Sequence, residues 1–307
     1  MPEAVRITEV GPRDGLQNET QPVATDVKVA FVRALVAAGL RDVEVSSFVR
    51  PDRIPQLSDA AEVFAQLGAP PAGVTYGALV PNEKGLEGAL AAHVGKVAVF
   101  TAATETFNRR NVHASVAESI ERFRPVVSGA KAARVKVRGY ISTAFWCPYE
   151  GPTPPERAVD VCMRLVDLGC DEIDVGDTIG AATPPDVAAL LDLLLPRVPA
   201  ARIVLHFHDT RGTALANVVE GLRRGITAFD ASAGGLGGCP YAPGAAGNLA
   251  TEDLVYLLSG LGHAHGIDLE RLRAAGTPIE RAIGRPLPGK VYRAGPAPRG
   301  AGSEPAG

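Results

Sequence analysis

Apolar residues along the chain alternate between two rhythms. Short runs fall at 5–10 (VRITEV), 42–48 (DVEVSSF), 74–80 (VTYGALV) and 96–102 (KVAVFTA), and again at 134–142 (RVKVRGYIS), 172–177 (EIDVGD), 202–208 (RIVLHFH) and 228–233 (AFDASA). Between them the spacing of apolar positions widens to a helical period. The segment TDVKVAFVRALVAAGL (25–40) opens on Thr25 or Asp26 as a cap and stops near Gly39. TPPDVAALLDLLLP (183–196) carries proline in its first turn, where a missing N–H costs little. Eight strands alternating with helices predict an α/β fold, a closed (β/α)8 TIM barrel over residues 1–265. An open doubly wound sheet is the alternative, but the first strand runs into GPRDGLQNE and not into a G-x-G-x-x-G turn. One more helical pattern covers 268–283, within an extension over 266–287 expected to pack on the barrel. The tail at 288–307 is rich in Pro and Gly and is expected to be disordered.

Composition narrows the partners. The 307 residues are 46% hydrophobic and 21% charged with a formal net charge of -3, so neither nucleic acid nor an anionic membrane is expected as a partner. No apolar run approaches the roughly 20 residues of a membrane helix. The N-terminal MPEAVRITEV enters a strand pattern at once, leaving no room for a signal peptide. Cys147, Cys162, Cys170 and Cys239 form no C-x-x-C and read as reduced thiols of a cytoplasmic protein. Cys162 and Cys170 fall in or beside a helical pattern and look like core, whereas Cys147 is expected nearer the mouth.

Chemistry in such barrels collects where strands end and in the loops that follow. The unusual polar residues of this chain lie there. Arg13 and Asp14 follow the first strand, and Glu44, Ser46 and Ser47 lie on the second. Asp174, Asp177 and Thr178 belong to the sixth strand and its exit, and His206 and His208 to the seventh. A glycine-rich loop, AGGLGGCPYAPGAAGN (233–248), follows the eighth. Strands 1, 2, 7 and 8 are neighbours around a closed barrel, so these groups are expected to converge.

Two histidines at i and i+2 share one face of a strand. With Asp14 nearby they form a mixed nitrogen and oxygen set suited to Mn²⁺, Fe²⁺ or Zn²⁺, and to Mg²⁺ if substrate oxygens and water complete an octahedron. A hydrogen-bonded core pair is the bland alternative. A second pair, His263 and His265, follows a helical pattern and reads as a solvated helix end. Asp14 could be only a turn residue of PRDG, and Arg13 only an ion-pair partner of Glu44. Cys239 sits in a flexible loop suited to swinging a thiol over a site; if that loop holds a phosphate instead, Cys239 is incidental.

The segments EVGPRDGLQNE (9–19), RGYIS with CPYEG (138–151), GDTIG (176–180), HFHDTRGTALAN (206–217) and GLGGCPYAPGAAGNLATEDLVYLL (235–258) together resemble the hydroxymethylglutaryl-CoA lyase family, over about residues 5–285. The resemblance implies retro-Claisen cleavage of 3-hydroxy-3-methylglutaryl-CoA to acetyl-CoA and acetoacetate. It implies a divalent cation, Mg²⁺ or Mn²⁺, held by Asp14, His206, His208 and Asn248. It further implies Arg13 as the stabiliser of the thioester enolate and Cys239 as the mobile-loop catalytic residue. Glu44 and Asp177 would support the site, Asp177 also in proton transfer, and Arg13, Ser47 and Thr178 would contact the acyl-CoA substrate. A homodimer follows from the same resemblance. Arg211 and Thr213 stand where familiar relatives often carry Tyr and Gln. Phe145 and Trp146 add bulk expected near the mouth, and these four departures together could alter the acyl pocket and favour a longer 3-hydroxy-3-alkylglutaryl-CoA. That related lyase, and a catalytically inactive metal-binding barrel, are the alternatives.

Overall fold

The computed structural model describes residues 4–238 and 247–297. Eight parallel strands, β1 (Arg6–Glu9), β2 (Asp42–Ser47), β3 (Thr75–Leu79), β4 (Lys96–Ala102), β5 (Lys136–Ser142), β6 (Glu172–Asp177), β7 (Ile203–Phe207) and β8 (Ala228–Ala231), close into a barrel. Each strand pairs with the next in sequence, and β8 returns to β1 with Asp230 opposite Thr8. The open-sheet alternative is excluded by this closure. Helices α1 (Thr25–Ala37), α2 (Ala60–Leu67), α3 (Glu83–Ala91), α4 (Glu105–Val112), α5 (Val116–Ala132), α6 (Pro155–Leu168), α7 (Pro184–Leu194) and α8 (Ala214–Arg223) cover the outside, followed by α9 (Thr251–Gly260) and α10 (Leu269–Ile283). Among the described residues no helix is long and apolar enough to cross a membrane.

The main core lies between strands and helices. Outward-facing Ile173, Val175, Leu205, Phe207 and Phe229 are fully buried against helix residues such as Leu165, Leu190 and Val218. Helix α1 turns Val29, Phe31, Val32 and Leu35 inward, and α10 lies alongside it with Leu272, Ala275 and Ile279 buried. Gly39 ends the α1 turn at φ +111, and a Cβ there would lie 2.2 Å from the Gly266 carbonyl oxygen. That position takes only glycine, because the φ is left-handed and a neighbouring backbone fills the space. His265 links α9 to α10 and is half-buried: its Nε2 lies 2.9 Å from Ser259 Oγ and its Nδ1 accepts from the Ile267 amide.

The chain departs from the expected disorder beyond residue 288. Lys290–Ala294 form a short helix, α11, because Asp253 accepts the amides of Lys290 and Val291 and the Tyr292 hydroxyl reaches Glu280. These contacts come from α9 and α10, so no local periodicity announces them. Residues 298–307 lie outside the described part.

The barrel interior is the unusual part. Bulky branched apolar residues ordinarily fill such interiors. Here Arg138 is 1% exposed and donates to Glu172 (3.0 Å), Asp230 (2.8 Å), Asp174 (3.3 Å) and the Thr8 hydroxyl (2.8 Å). Lys96 pairs with Asp42, and Arg6 closes the lower end on Glu172 at 2.5 Å. Leu79, Ala98 and Tyr140 supply a small apolar cluster beside the ion pairs.

Candidate metal and active site

The β1 exit is shaped by one carbonyl. Val10 O accepts the amides of Arg13, Asp14 and Gly15, winding residues 11–15 into a single wide turn. Glu9 anchors that turn, its Oε1 accepting from the Gly11 and Ala233 amides and its Oε2 from the Thr251 hydroxyl. The exits of β1 and β8 are thereby stitched together. Arg13 and Asp14 face the mouth as a result.

Arg13 is buried, and its Nε donates to Glu44 Oε1 at 2.6 Å while Nη1 donates to Asp14 Oδ1 at 2.6 Å. Its guanidinium carbon lies 5.4 Å from the centroid of the Tyr140 ring, a cation–π distance. Both the bland pairing with Glu44 and a place beside the aspartate are therefore realised in one side chain. Burial works against its charge, but Glu44 and Asp14 override that and hold the guanidinium above its usual range.

The end of β7 carries both histidines to the same region. One donor atom each from Asp14, His206 and His208 lies within 4.8 Å of the others, and the two imidazole centroids are 5.2 Å apart. Residues 247–249 run beside this strand end, since the Asp209 amide donates to Gly247 O and the Leu249 amide to Phe207 O. Asn248 pairs opposite His208, and its Nδ2 donates to Asp14 Oδ2 at 2.9 Å. Gly237, at φ +110, leaves room for this side chain, because a Cβ there would lie 2.9 Å from Asn248 Nδ2.

Two buried atoms of the group, His208 Nδ1 and Asn248 Oδ1, have no partner among the described residues. Buried polar atoms are rarely left so, and two nitrogens with two oxygens make a donor set that a divalent cation fits. Burial, then the neighbouring His206, push His208 down to about 4, keeping it neutral and able to ligate. Asp14 stays ionised: burial raises it, but Arg13 and the two histidines bring it below the usual carboxylate range. For His206, burial is outweighed by the hydrogen bond and charge of Asp230, which raise it.

Other expected site residues are placed less directly. Asp177 is fully buried, its two oxygens accepting the Ala181 and Ala182 amides at 3.0 and 3.1 Å. Burial lifts it to about 6 against those two hydrogen bonds. Its immediate work is to hold the β6 exit loop. Thr178 Oγ1 accepts the Thr143 amide. The β2–β3 register slips between Glu44 and Ser46, which pairs Ser47 with Leu79 as Glu44 pairs with Gly77. That bulge puts Ser47, and not Ser46, on the face of Glu44. Cys239 lies outside the described residues.

One expectation is corrected. Phe145 is not at the mouth; it is buried in the outer core with its ring 6.2 Å from Phe207. Trp146 packs partly buried against that same core. Cys147 is buried beside Ala102 and Phe107, where it accepts from the Thr104 hydroxyl. Arg211 and Thr213 instead tie the β7 exit to the β6 exit, donating to the carbonyls of Ile179 and Ala182. Cys162 and Cys170 are core thiols as expected, Cys170 pushed up to about 12 by burial.

A family model described as HMGL-like matches residues 4–279. The chain belongs to the HMGL-like family. Hydroxymethylglutaryl-CoA lyase from Pseudomonas mevalonii is 49% identical over 282 residues, covering 92% of this chain and 93% of that protein. The crystal structure of hydroxymethylglutaryl-CoA lyase from Pseudomonas aeruginosa matches with a TM-score of 0.93 at 48% identity, covering 96% of this chain and 98% of that one. An HMG-CoA lyase from Acinetobacter baumannii, in complex with coenzyme A and 3-methylmalate, matches with a TM-score of 0.90 at 34% identity, covering 99% and 98%.

Within this HMGL-like barrel, sequence reading missed the layer beneath the histidines. Asp230 lies 3.3 Å from His206 Nδ1, and the Tyr140 hydroxyl donates to Glu44 while lying 3.3 Å from Asp230 Oδ2. Arg138 joins these groups to the lower barrel. The available signal was a charge at an inward strand position, as in the Asp of AFDASA and the Arg of KVRGY.

Proposed function

We propose that this chain is a divalent-metal-dependent carbon–carbon lyase that cleaves 3-hydroxy-3-methylglutaryl-CoA to acetyl-CoA and acetoacetate. The observation that carries this reading is the convergence of Arg13, Asp14, His206, His208 and Asn248 at one barrel mouth in a chain of the HMGL-like family. Asp14, His206, His208 and Asn248 would hold Mg²⁺ or Mn²⁺. Such a cation, when bound, supplies Lewis-acid polarisation that makes a tertiary hydroxyl easier to deprotonate.

The reaction removes the hydroxyl proton, breaks the C2–C3 bond and leaves a ketone and a thioester enolate that must be protonated at carbon. Arg13 answers the enolate charge. Its Nε and Nη1 are engaged by Glu44 and Asp14, while Nη2 meets no acceptor among the described residues and is left for the thioester oxygen. Fixed donors of this kind contribute about 3 kcal/mol to the barrier difference. Cys239 carries the final proton on Sγ in this reading, since a thiol with a reference pKa of about 8.5 gives it up and is reset easily. Asp177 orders the loop that presents Thr178, and Ser47 lines the β2 side. The same reading carries a homodimer, an expectation supplied by the family resemblance, and a cytoplasmic location, an expectation supplied by the cysteine usage.

Acetoacetate release by metal-stripped protein, with and without Mg²⁺ or Mn²⁺, tests the proposal. Turnover restored by metal and lost in His206→Ala is expected. Silence from folded, metal-loaded protein would sink this substrate, and longer 3-alkyl analogues form the next arm. Silence there too would leave an inactive metal-binding barrel.

A further inference from the structure

The two histidines enter the site unequally. His206 Nδ1 lies 3.3 Å from Asp230 Oδ2, whereas His208 Nδ1 has no partner among the described residues. The first contact is built into the sheet, because Asp230 and His206 are register partners on β8 and β7. Asp230 is 1% exposed and is itself pinned: Arg138 Nη1 donates to its Oδ1 at 2.8 Å and the Tyr140 hydroxyl approaches its Oδ2 at 3.3 Å.

Asp174, His206 and Asp230 also form a compact group that could accept a cation. That role is already taken, since Arg138 Nη1 stands 2.8 Å from Asp230 and 3.3 Å from Asp174. A guanidinium fixed there compensates the carboxylates and leaves Asp230 one task facing the mouth, which is to receive a proton-bearing nitrogen of His206. A neutral imidazole has one N–H and one lone pair. Placing the N–H on Nδ1 commits the lone pair to Nε2. Carboxylates that hold a ligating imidazole in this way fix its tautomer and raise its basicity.

We infer that Asp230 is a positioning residue of the metal site, holding His206 as the Nδ1–H tautomer so that Nε2 is the ligating atom. The inference rests on the metal reading above but not on the substrate. Arg138 is the second member of the device, fixing the carboxylate that fixes the ring.

The test compares Asp230→Asn with Asp174→Asn in the full chain. Both substitutions remove a buried carboxylate beside Arg138, but only Asp230 touches His206. Mn²⁺ affinity is read from the free-ion EPR signal, and the His206 tautomer from long-range ¹H–¹⁵N correlations of metal-free protein at alkaline pH. Asp230→Asn is expected to lower Mn²⁺ affinity 10- to 100-fold and to lose the Nδ1–H signature, with Asp174→Asn within about threefold of wild type. Equal losses in the two variants, or an Nε2–H tautomer in wild type that binds Mn²⁺, would overturn the role of Asp230 alone. Wild-type protein that binds no Mn²⁺ would overturn the metal reading and this inference together.

Discussion

Arg13 and Glu44 meet across the β1–β2 boundary, Nε to Oε1 at 2.6 Å, and the other Glu44 oxygen accepts the Tyr140 hydroxyl. The guanidinium is thus clamped from below by a carboxylate and on its face by an aromatic ring. Glu44→Gln keeps the shape but removes the charge that orients Arg13. Misplacing a group at a reacting centre by about 1 Å can cost on the order of 100-fold. We expect kcat to fall 10- to 100-fold, about the range of such misplacement, with Mn²⁺ affinity little changed. A variant with normal kcat would reduce Glu44 to a partner in stability only.

Arg138 is the hub of the buried network, with Glu172, Asp174 and Asp230 around it. Burial opposes its charge, yet Asp230 and its other anionic neighbours hold it well above the usual range. Removing one partner of a buried ion pair costs about 3–5 kcal/mol, because the charges left behind are unpaired. Arg138→Met is expected to lose that much in urea unfolding. Adding Asp230→Asn should recover part of the loss, giving a coupling of about 1 kcal/mol or more. Strictly additive effects would show that the pair does not interact as drawn.

Glu252 lies under the β8 exit, where its Oε2 accepts the Gly234 amide while its Oε1 is buried without a partner among the described residues. Burial raises it to about 8, and nearby Glu9 adds to the rise. The folded chain therefore binds a proton that the unfolded chain releases near pH 4.5. Its stabilising contribution is complete below that value and is lost as pH rises through about 8. Glu252→Gln removes this loss, so its stability relative to wild type should increase by a few kcal/mol between pH 5 and pH 8, at about 1.4 kcal/mol per pKa unit. Parallel pH profiles of unfolding free energy for the two proteins would refute the assignment.

Gly237 tests the seat of Asn248. A Cβ at this φ of +110 would stand 2.9 Å from Asn248 Nδ2 and 3.2 Å from Gly15 Cα. Gly237→Ala should displace Asn248 and weaken Mn²⁺ binding more than about 10-fold, the scale of losing a ligand's support. Gly260→Ala, where a Cβ meets nothing within 4 Å, serves as the control. Calorimetric titration with Mn²⁺ distinguishes the two, and equal affinities would mean that the loop accommodates the methyl group.

Local pattern determined more of this protein than its buried charges suggest. Eight apolar runs spaced by helical segments specify the repeated βα unit, since strand and helix periods are written directly in residue spacing. Closure then follows from the unit count, and the i, i+2 spacing of His206 and His208 puts both on one strand face. The RD pair after β1 was readable for the same reason, being fixed by its place just beyond a strand.

Only the tertiary structure decided what meets inside the barrel. Asp230 reaches His206 from the neighbouring strand, 24 residues away, and Arg138 reaches Thr8 across 130. Which residue serves the Glu44 face depends on a bulge that turns Ser47 inward. Phe145 reads as a mouth residue by sequence position, but the apolar shell around Phe207 took it. Helix α11 exists because Asp253 waits for its amides. Propensity and periodicity act over a few residues, whereas compensation of a buried charge is set by whichever partner the closed sheet brings within hydrogen-bond reach.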